Sequence, residues 1–267
     1  MYGDHERKTA ERRFHDQRYE VETRLRQSKY YSIIRASAAD FHGAVREAIA
    51  GADALEYGCG AEPRALRVGQ SAASITGIDL SKVAVDKARR AAAEVLPGAR
   101  FIVMDAEALG FENDSFDVVY GSAIIHHLDG TRAMEEIVRV LRPRGKAIFV
   151  EPLGHNPAIN LYRWLTPAAR TSDEHPLTAH DLKVIRSFFE TSSFRFYHLL
   201  SVAAVPFRAT RVFDPLLRSL DAADQLLFNL VPASRWLAWY VVMVLSGPKP
   251  SHKHEGRLRD LTRAAEG

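Results

Sequence analysis

Ala54-Leu55-Glu56-Tyr57-Gly58-Cys59-Gly60-Ala61-Glu62-Pro63 reads as a short apolar strand that enters a glycine turn and then a helix. Gly58 and Gly60 let the backbone bend sharply and come close to a ligand, and Pro63 suits the first turn of the helix. By itself the decapeptide also fits a turn made tight only by packing. Spacing adds to it. A second strand, Ser74-Ile75-Thr76-Gly77-Ile78, ends at Asp79, about twenty residues on, where an acid that binds ribose hydroxyls belongs.

Outward from this pair the alternation continues. A third strand over 101–105 ends at Asp105, a fourth over 116–120 runs into Gly121-Ser122, and a fifth over 146–150 follows Pro143-Arg144-Gly145. Between them lie helical stretches near 63–72, after Ser81, and over 131–141; Ala84, Val85, Ala88, Ala91, Ala92 and Val95 form the inner face of the second. Strands that alternate strictly with helices imply a parallel sheet covered on both faces, a three-layer α/β/α sandwich. A short helix over 158–165, a helix over 179–189 capped by Thr178 with Asp181, and a sixth strand from Phe194 to Val202 come next. The apolar run 226–245 is interrupted by Asn229, Pro232, Ser234 and Arg235, and its valine-rich second half reads as a buried strand rather than a membrane span.

Glu56-Tyr57-Gly58-Cys59-Gly60, Gly77-Ile78-Asp79-Leu80-Ser81, Met104-Asp105-Ala106, Phe116-Asp117-Val118-Val119 and Leu141-Arg142-Pro143-Arg144-Gly145-Lys146 stand in the order and at the intervals of one known family. Together they closely resemble the class I S-adenosylmethionine-dependent methyltransferases, within these the small-molecule branch that includes the ubiquinone and menaquinone biosynthesis enzymes. The likeness covers roughly residues 50–152, and it departs from the family pattern at Glu62, where many members have a third glycine. The resemblance implies a Rossmann-like, mostly parallel seven-stranded sheet of order 3-2-1-4-5-7-6, with strand 7 antiparallel and followed by Lys249-Pro250. It also implies S-adenosyl-L-methionine as cofactor and S-adenosyl-L-homocysteine as product. Glu56, Gly58, Cys59 and Gly60 would hold the methionine portion, Asp79 and Leu80 the ribose, and Asp105 and Ala106 the adenine, with Ser122 lining the site.

The 267 residues are 46% hydrophobic, enough for one large α/β domain, here 51–250. Residues 1–50 form a helical N-terminal part, either packed on the sheet edge or acting as a lid through Phe14, Tyr19, Val21, Leu25, Tyr30 and Tyr31. Residues 152–178 form an acceptor-side loop, 206–236 an apolar helical insertion, and 251–267 a polar tail. The insertion suits an extra core layer or dimer face, an oily wall for a lipophilic acceptor, or a patch resting on a membrane surface. A net charge of +3, from 36 Lys and Arg against 33 Asp and Glu, is spread along the chain and does not point to nucleic acid. Cys59 is the single cysteine, which excludes an internal disulfide and suits the cytoplasm; the N-terminus has no secretory pattern. A monomer or a homodimer fits equally.

Methyl transfer needs alignment and, for an oxygen or nitrogen acceptor, removal of a proton. The candidate bases are His126, His127 and His155, with Glu151 as an orienting partner. His155, Glu174 and His175 show no metal-ligand spacing, so no metal is expected. After the fourth strand Ser122-Ala123-Ile124-Ile125 replaces the Asn/Asp-Pro-Pro-aromatic run of nucleic-acid amino methyltransferases, and the glutamate pair of the protein arginine enzymes is missing. The expected activity is O-methylation of a small, possibly lipophilic, molecule. Methylation at carbon or nitrogen, or a silent cofactor-binding protein, are the alternatives.

Overall fold

The computed structural model describes residues 8, 9, 12, 16, 32–166 and 175–250. The aromatic residues expected to form a lid, the run Arg170–Glu174 and the tail 251–267 lie outside the described residues. The strands are β1 (Asp53–Tyr57), β2 (Ser74–Asp79), β3 (Arg100–Val103), β4 (Phe116–Ser122), β5 (Leu141–Pro152), β6 (Phe189–Tyr197) and β7 (Tyr240–Pro248). They form one sheet in the order β3-β2-β1-β4-β5-β7-β6. β1 to β5 pair in parallel, and β7 runs antiparallel to both β5 and β6. The expected topology is the observed one.

Period-two alternation divides the strand side chains between two cores. Ala54, Ile75, Val118, Tyr120, Ile148 and Val242 meet α1 (Arg35–Ala48), α2 (Ala65–Val68) and α3 (Lys82–Ala92) on one face. Leu55, Ile78, Val119, Ala147, Phe149 and Met243 meet α4 (Gly130–Val140) and α6 (Ala179–Ser187) on the other. Between them along the chain lies α5 (Pro157–Leu165), which buries Ile159 alone. Caps set the helix starts: Ser81 accepts from the Ala84 amide, Asp129 from those of Thr131 and Arg132, Asn156 from that of Ile159, and Thr178 with Asp181 closes a full capping box.

Several boundaries differ from the sequence expectation. The helix placed at 63–72 shortens to α2 and a 3-10 turn over Gly69–Ser71. Ala91 and Val95 are exposed rather than on the inner face of α3, because the helix ends at Ala92 and one turn of its period points them outward. β3 stops two residues early, whereas β5 begins at Leu141, where Phe116 pairs with Leu141 across a bulge. β6 lies at Phe189–Tyr197, not at 194–202: His198 has a left-handed φ of 67° and the chain then coils into a 3-10 segment over Ser201–Phe207. The insertion is dominated by α7 (Phe213–Leu230), followed by a 3-10 turn over Pro232–Leu237. Among the described residues no helix is long and apolar enough to cross a membrane.

α7 buries Phe213 and Leu217 in the first core and Phe228 in the second, so it straddles the sheet. It does so at one particular end. Tyr197 pairs with Tyr240, and Tyr240 with Pro152 at the end of β5, so the chain between β6 and β7 emerges at the carboxyl end of the parallel strands.

The loop after β3 is held from α4. Arg139 bonds Glu136 through Nε (2.8 Å) and donates to the carbonyls of Leu109 (2.8 Å) and Phe111 (2.6 Å), while Glu136 accepts from the Leu109 amide (2.6 Å). Arg139→Met leaves a nearly buried carboxylate without its cation. It is expected to lower stability by about 3 kcal/mol, read by urea denaturation.

Candidate cofactor and active site

The glycine turn after β1 is built as a cradle. Gly58 (φ 72°) and Gly60 (φ 59°) both take left-handed backbone, and a Cβ on Gly58 would lie 2.8 Å from the Ile124 side chain. A Cβ on Gly121, at the end of β4, would lie 2.7 Å from the Tyr57 carbonyl. The two strand ends therefore close on each other only because both are bare. Cys59 is buried beneath the turn, and that burial raises its thiol far above the usual range, so it stays a neutral packing group.

Glu56 is buried and its carboxylate accepts from the amides of Arg64 and Ala65 (3.0 Å), the first turn of the α2 helix, with the Tyr120 hydroxyl at 3.4 Å. Burial pushes its pKa up to about 7, against the pull of the two amides. Asp79 turns one carboxylate oxygen to the Gly60 amide (2.9 Å) and the other to the Ser81 amide (2.9 Å). Desolvation raises its pKa, opposed by those two amides. Each oxygen keeps a further lone pair, which fits a pair of ribose hydroxyls.

Asp105 follows β3. It accepts the Glu107 amide (2.8 Å) and the Lys8 ammonium (2.8 Å), which also reaches Glu107 at 3.0 Å. Asp16 takes the Ser81 hydroxyl. Two N-terminal residues thus lie at the ends of β2 and β3, beside Asp79 and Asp105. Ala106 offers its carbonyl to the Tyr57 hydroxyl, and Leu80 and Ser122 are half-buried beside the cradle.

On the acceptor side Glu151 is fully buried at the end of β5. One oxygen accepts from the amides of Ile124 (2.9 Å) and Ile125 (3.0 Å), and the other lies 2.7 Å from His126 Nδ1. His126 is 7% exposed, and its Nε2 makes no hydrogen bond among the described residues. Its carbonyl accepts from the His175 amide (3.0 Å), which ties the acceptor-side loop to the strand-four turn. The His127 ring lies 4.1 Å from that of His126, tilted by 39°. His155 is exposed on the turn before α5 and touches neither Glu151 nor His126. Among the described residues no three His, Cys, Asp or Glu side chains gather as a metal site.

Some polar residues of the site were not singled out in the sequence. Glu107, whose side chain is fully buried, accepts the Asp129 amide (2.8 Å) and Lys8; Asp129 caps α4. An acid four residues beyond the end of β3 carries no local signal of burial, and Lys8 is distant in sequence.

Residues 55–149 match the family model described as a methyltransferase domain. Two curated relatives match over short stretches. The phthiotriol/phenolphthiotriol dimycocerosates methyltransferase 1 of Mycobacterium ulcerans is 40% identical over 80 residues, 30% of this chain and 29% of that protein. The aklanonic acid methyltransferase DauC of Streptomyces sp. strain C5 is 34% identical over 115 residues, 41% of this chain and 52% of that one. The chain thus spans less than a third of the first and about half of the second. The crystal structure of the cyclase SpnF shares the fold, with a TM-score of 0.56 at 24% identity over 80% of this chain and 82% of that one. Residues 55–149 thus carry a methyltransferase domain, of the class I S-adenosylmethionine-dependent kind, and S-adenosylmethionine is the cofactor of that class.

Glu56 makes stability depend on pH. Its carboxyl keeps its proton in the fold up to about 7, whereas the unfolded chain releases it near 4.5. The contribution is present below 4.5 and lost as pH rises to about 7, roughly 3 kcal/mol over the window. Denaturant melts from pH 4.5 to 8 should show that fall, and Glu56→Gln should flatten it.

Proposed function

We propose that the protein methylates a hydroxyl oxygen of a small molecule, with His126 as the general base and Glu151 as its orienting partner. The observation that carries this reading is the buried 2.7 Å contact between Glu151 and His126 Nδ1 beside the glycine cradle. With Nδ1–H held on the carboxylate, the imidazole presents Nε2 as an acceptor. Glu56, Gly58, Cys59 and Gly60 would hold the methionine end of the cofactor, Asp79 and Leu80 its ribose, Asp105 and Ala106 its adenine, and Ser122 the adjoining wall. Bound there, S-adenosylmethionine supplies an electrophilic methyl group on a sulfonium and leaves as S-adenosylhomocysteine.

This chain's part is alignment and proton removal. His126 Nε2 would take the hydroxyl proton of the acceptor as its oxygen is methylated, and Glu151 would stabilise the resulting imidazolium. His127, packed on the ring of His126, supports its orientation, and His155 stands at the outer edge of the acceptor side. The relatives' names place their acceptors among small molecules rather than nucleic acid or protein, which supports a small-molecule acceptor here. α7 and its flanking turns, lying across the carboxyl edge, supply an apolar wall for a lipophilic one.

The stretch that carries Lys8 and Asp16 acts as a lid in this reading, supported by their contacts with the strand-end groups, while α1 packs in the first core. A cytoplasmic monomer or homodimer fits a single cysteine buried under the turn. The second reading, a chain that binds the cofactor without transferring its methyl, is favoured by a fold neighbour named as a cyclase. Carbon or nitrogen acceptors need the same cradle.

Asp79→Ala should weaken S-adenosylhomocysteine binding in calorimetry at least tenfold; unchanged affinity refutes the cradle. Lys8→Met should tighten it several-fold, since the adenine amino group and Lys8 compete for one carboxylate oxygen. Labelled methyl transfer into a cell extract, fractionated into organic, aqueous and macromolecular pools, tests the acceptor class; label in the macromolecular pool overturns it. With an acceptor in hand, His126→Ala and Glu151→Gln should each lower kcat by about 10²-fold while S-adenosylhomocysteine affinity holds.

A further inference from the structure

His198 is a buried imidazole that the methyl-transfer reading leaves unused, and it stands where β6, α1 and α7 meet. It follows β6 with a left-handed φ of 67°, and its Nε2 lies 2.8 Å from the Ser37 hydroxyl of α1. Its Nδ1 lies 3.2 Å from the Ser201 hydroxyl and 3.7 Å from the Asp221 carboxylate of α7. Its carbonyl accepts from the Asn156 side chain (3.2 Å) and the Trp239 amide (3.2 Å). Ser37, His198 and Asp221 have the composition of a hydrolytic triad without its chemistry, since Ser37 is buried and its hydroxyl donates to the Ile34 carbonyl (3.0 Å).

These hydrogen bonds select one neutral tautomer. With its own proton on Ile34, the Ser37 oxygen accepts, so Nε2 carries the ring proton; the buried Ser201 hydroxyl then donates to Nδ1, and each of these hydroxyls and ring nitrogens is paired. A second ring proton lands on Nδ1 and turns it from acceptor to donor. The acid that faces it there is Asp221. The other charged and titratable groups packed around the ring are committed elsewhere. Asp224 of α7 holds the amides of Leu199, Leu200 and Ser201; Asp40 of α1 holds Arg195 (2.6 Å) and Tyr197 (2.7 Å) of β6; Arg35 of α1 holds Asp214 of α7 (2.7 Å). Tyr240 of β7 meets the imidazole edge to face at 6.2 Å. Asp221 also lines a cleft of about 320 Å³ between α1 and α7, with Arg35, Asp214 and Arg218, so its carboxylate has room to swing.

We propose that His198 is a proton-operated latch: a proton that arrives on Nδ1 draws Asp221 from 3.7 Å into a charge-assisted hydrogen bond and clamps α7 onto α1 and the end of β6. The proton comes from solvent by way of Asp221, whose side chain is 22% exposed. An imidazole changes charge between about pH 5 and 8, so mild acid closes the latch and alkali opens it. Because α7 lies across the carboxyl edge of the sheet, the latch sets how firmly the wall beside the acceptor side is held. It is read without turnover, so it stands or falls apart from the methyl-transfer reading.

The test is long-range proton–nitrogen magnetic resonance on the full chain with nitrogen-labelled histidine. The His198 signals are assigned by their loss in His198→Asn, which keeps a residue tolerant of left-handed backbone. At pH 8 the ring should carry its proton on Nε2 with Nδ1 bare. Toward pH 5 Nδ1 should gain a proton, and Asp221→Asn should move the midpoint of that change downward. Amide exchange in α7, corrected for the intrinsic effect of pH, should slow about tenfold more between pH 8 and pH 5.5 in the wild type than in Asp221→Asn. The contribution of Glu56 is common to both proteins and cancels. A proton on Nδ1 at pH 8, a ring that stays neutral down to pH 5, a midpoint that Asp221→Asn leaves in place, or α7 exchange that responds equally in both proteins overturns the proposal.

Discussion

Glu151 carries more of this structure than any other side chain. Its carboxylate is out of contact with water, yet all three of its donors come from the turn after β4: two backbone amides and one imidazole. A buried carboxylate is costly unless such donors surround it. The turn is therefore held in one conformation against the end of β5, with Ile124 over Gly58 and His126 at the edge of the cradle. The same arrangement recurs along the sheet edge. Glu56 gathers the first amides of α2, Asp79 the amides of Gly60 and Ser81, Glu107 that of Asp129, and Glu136 that of Leu109. The loops are fixed by acids at the strand ends, in the loop after β3 and on α4.

The second constraint is the chain between β6 and β7. Asp224 of α7 accepts the amides of Leu199 (3.1 Å), Leu200 (2.6 Å) and Ser201 (3.2 Å), and His198 reaches the Ser37 hydroxyl on α1 (2.8 Å). These bonds stop β6 at Tyr197 and turn the chain across the sheet edge. With both cores already filled by α1, α3, α4 and α6, α7 has room only across the end, one half in each core. Its outer face and that of α5 are then left with apolar residues that no other described element covers.

Much of the fold was legible because its signals are local. Strand β2, the capping box at Thr178 and Asp181 and the cap at Ser81 all follow from patterns a few residues long, whereas the antiparallel last strand came with the family resemblance. Boundaries were lost where long-range contacts outweigh local pattern. β6 ends at a left-handed histidine whose ring is bonded to α1, and β5 extends backward to meet Phe116 across a bulge. At the candidate site, the acids at the strand ends could be picked out by their intervals. Which groups each acid binds could not, since the partner amides lie in loops whose path no pattern gives.

The sequence by itself determined the class of fold and the acids at the strands' carboxyl ends, because glycine turns, alternation and caps act over a few residues; the order of the strands came with the family resemblance. The tertiary structure alone decided that Glu151 takes His126 and leaves His155 at the surface, and that Lys8 reaches Asp105 from far along the chain. It also decided that the start of α5 and the turn before β7, distant in sequence, share one edge through Asn156 and the Leu237 carbonyl. The physical reason is that these pairings belong to buried polar groups seeking partners across the sheet, and such partners are chosen by geometry rather than by neighbours in the chain.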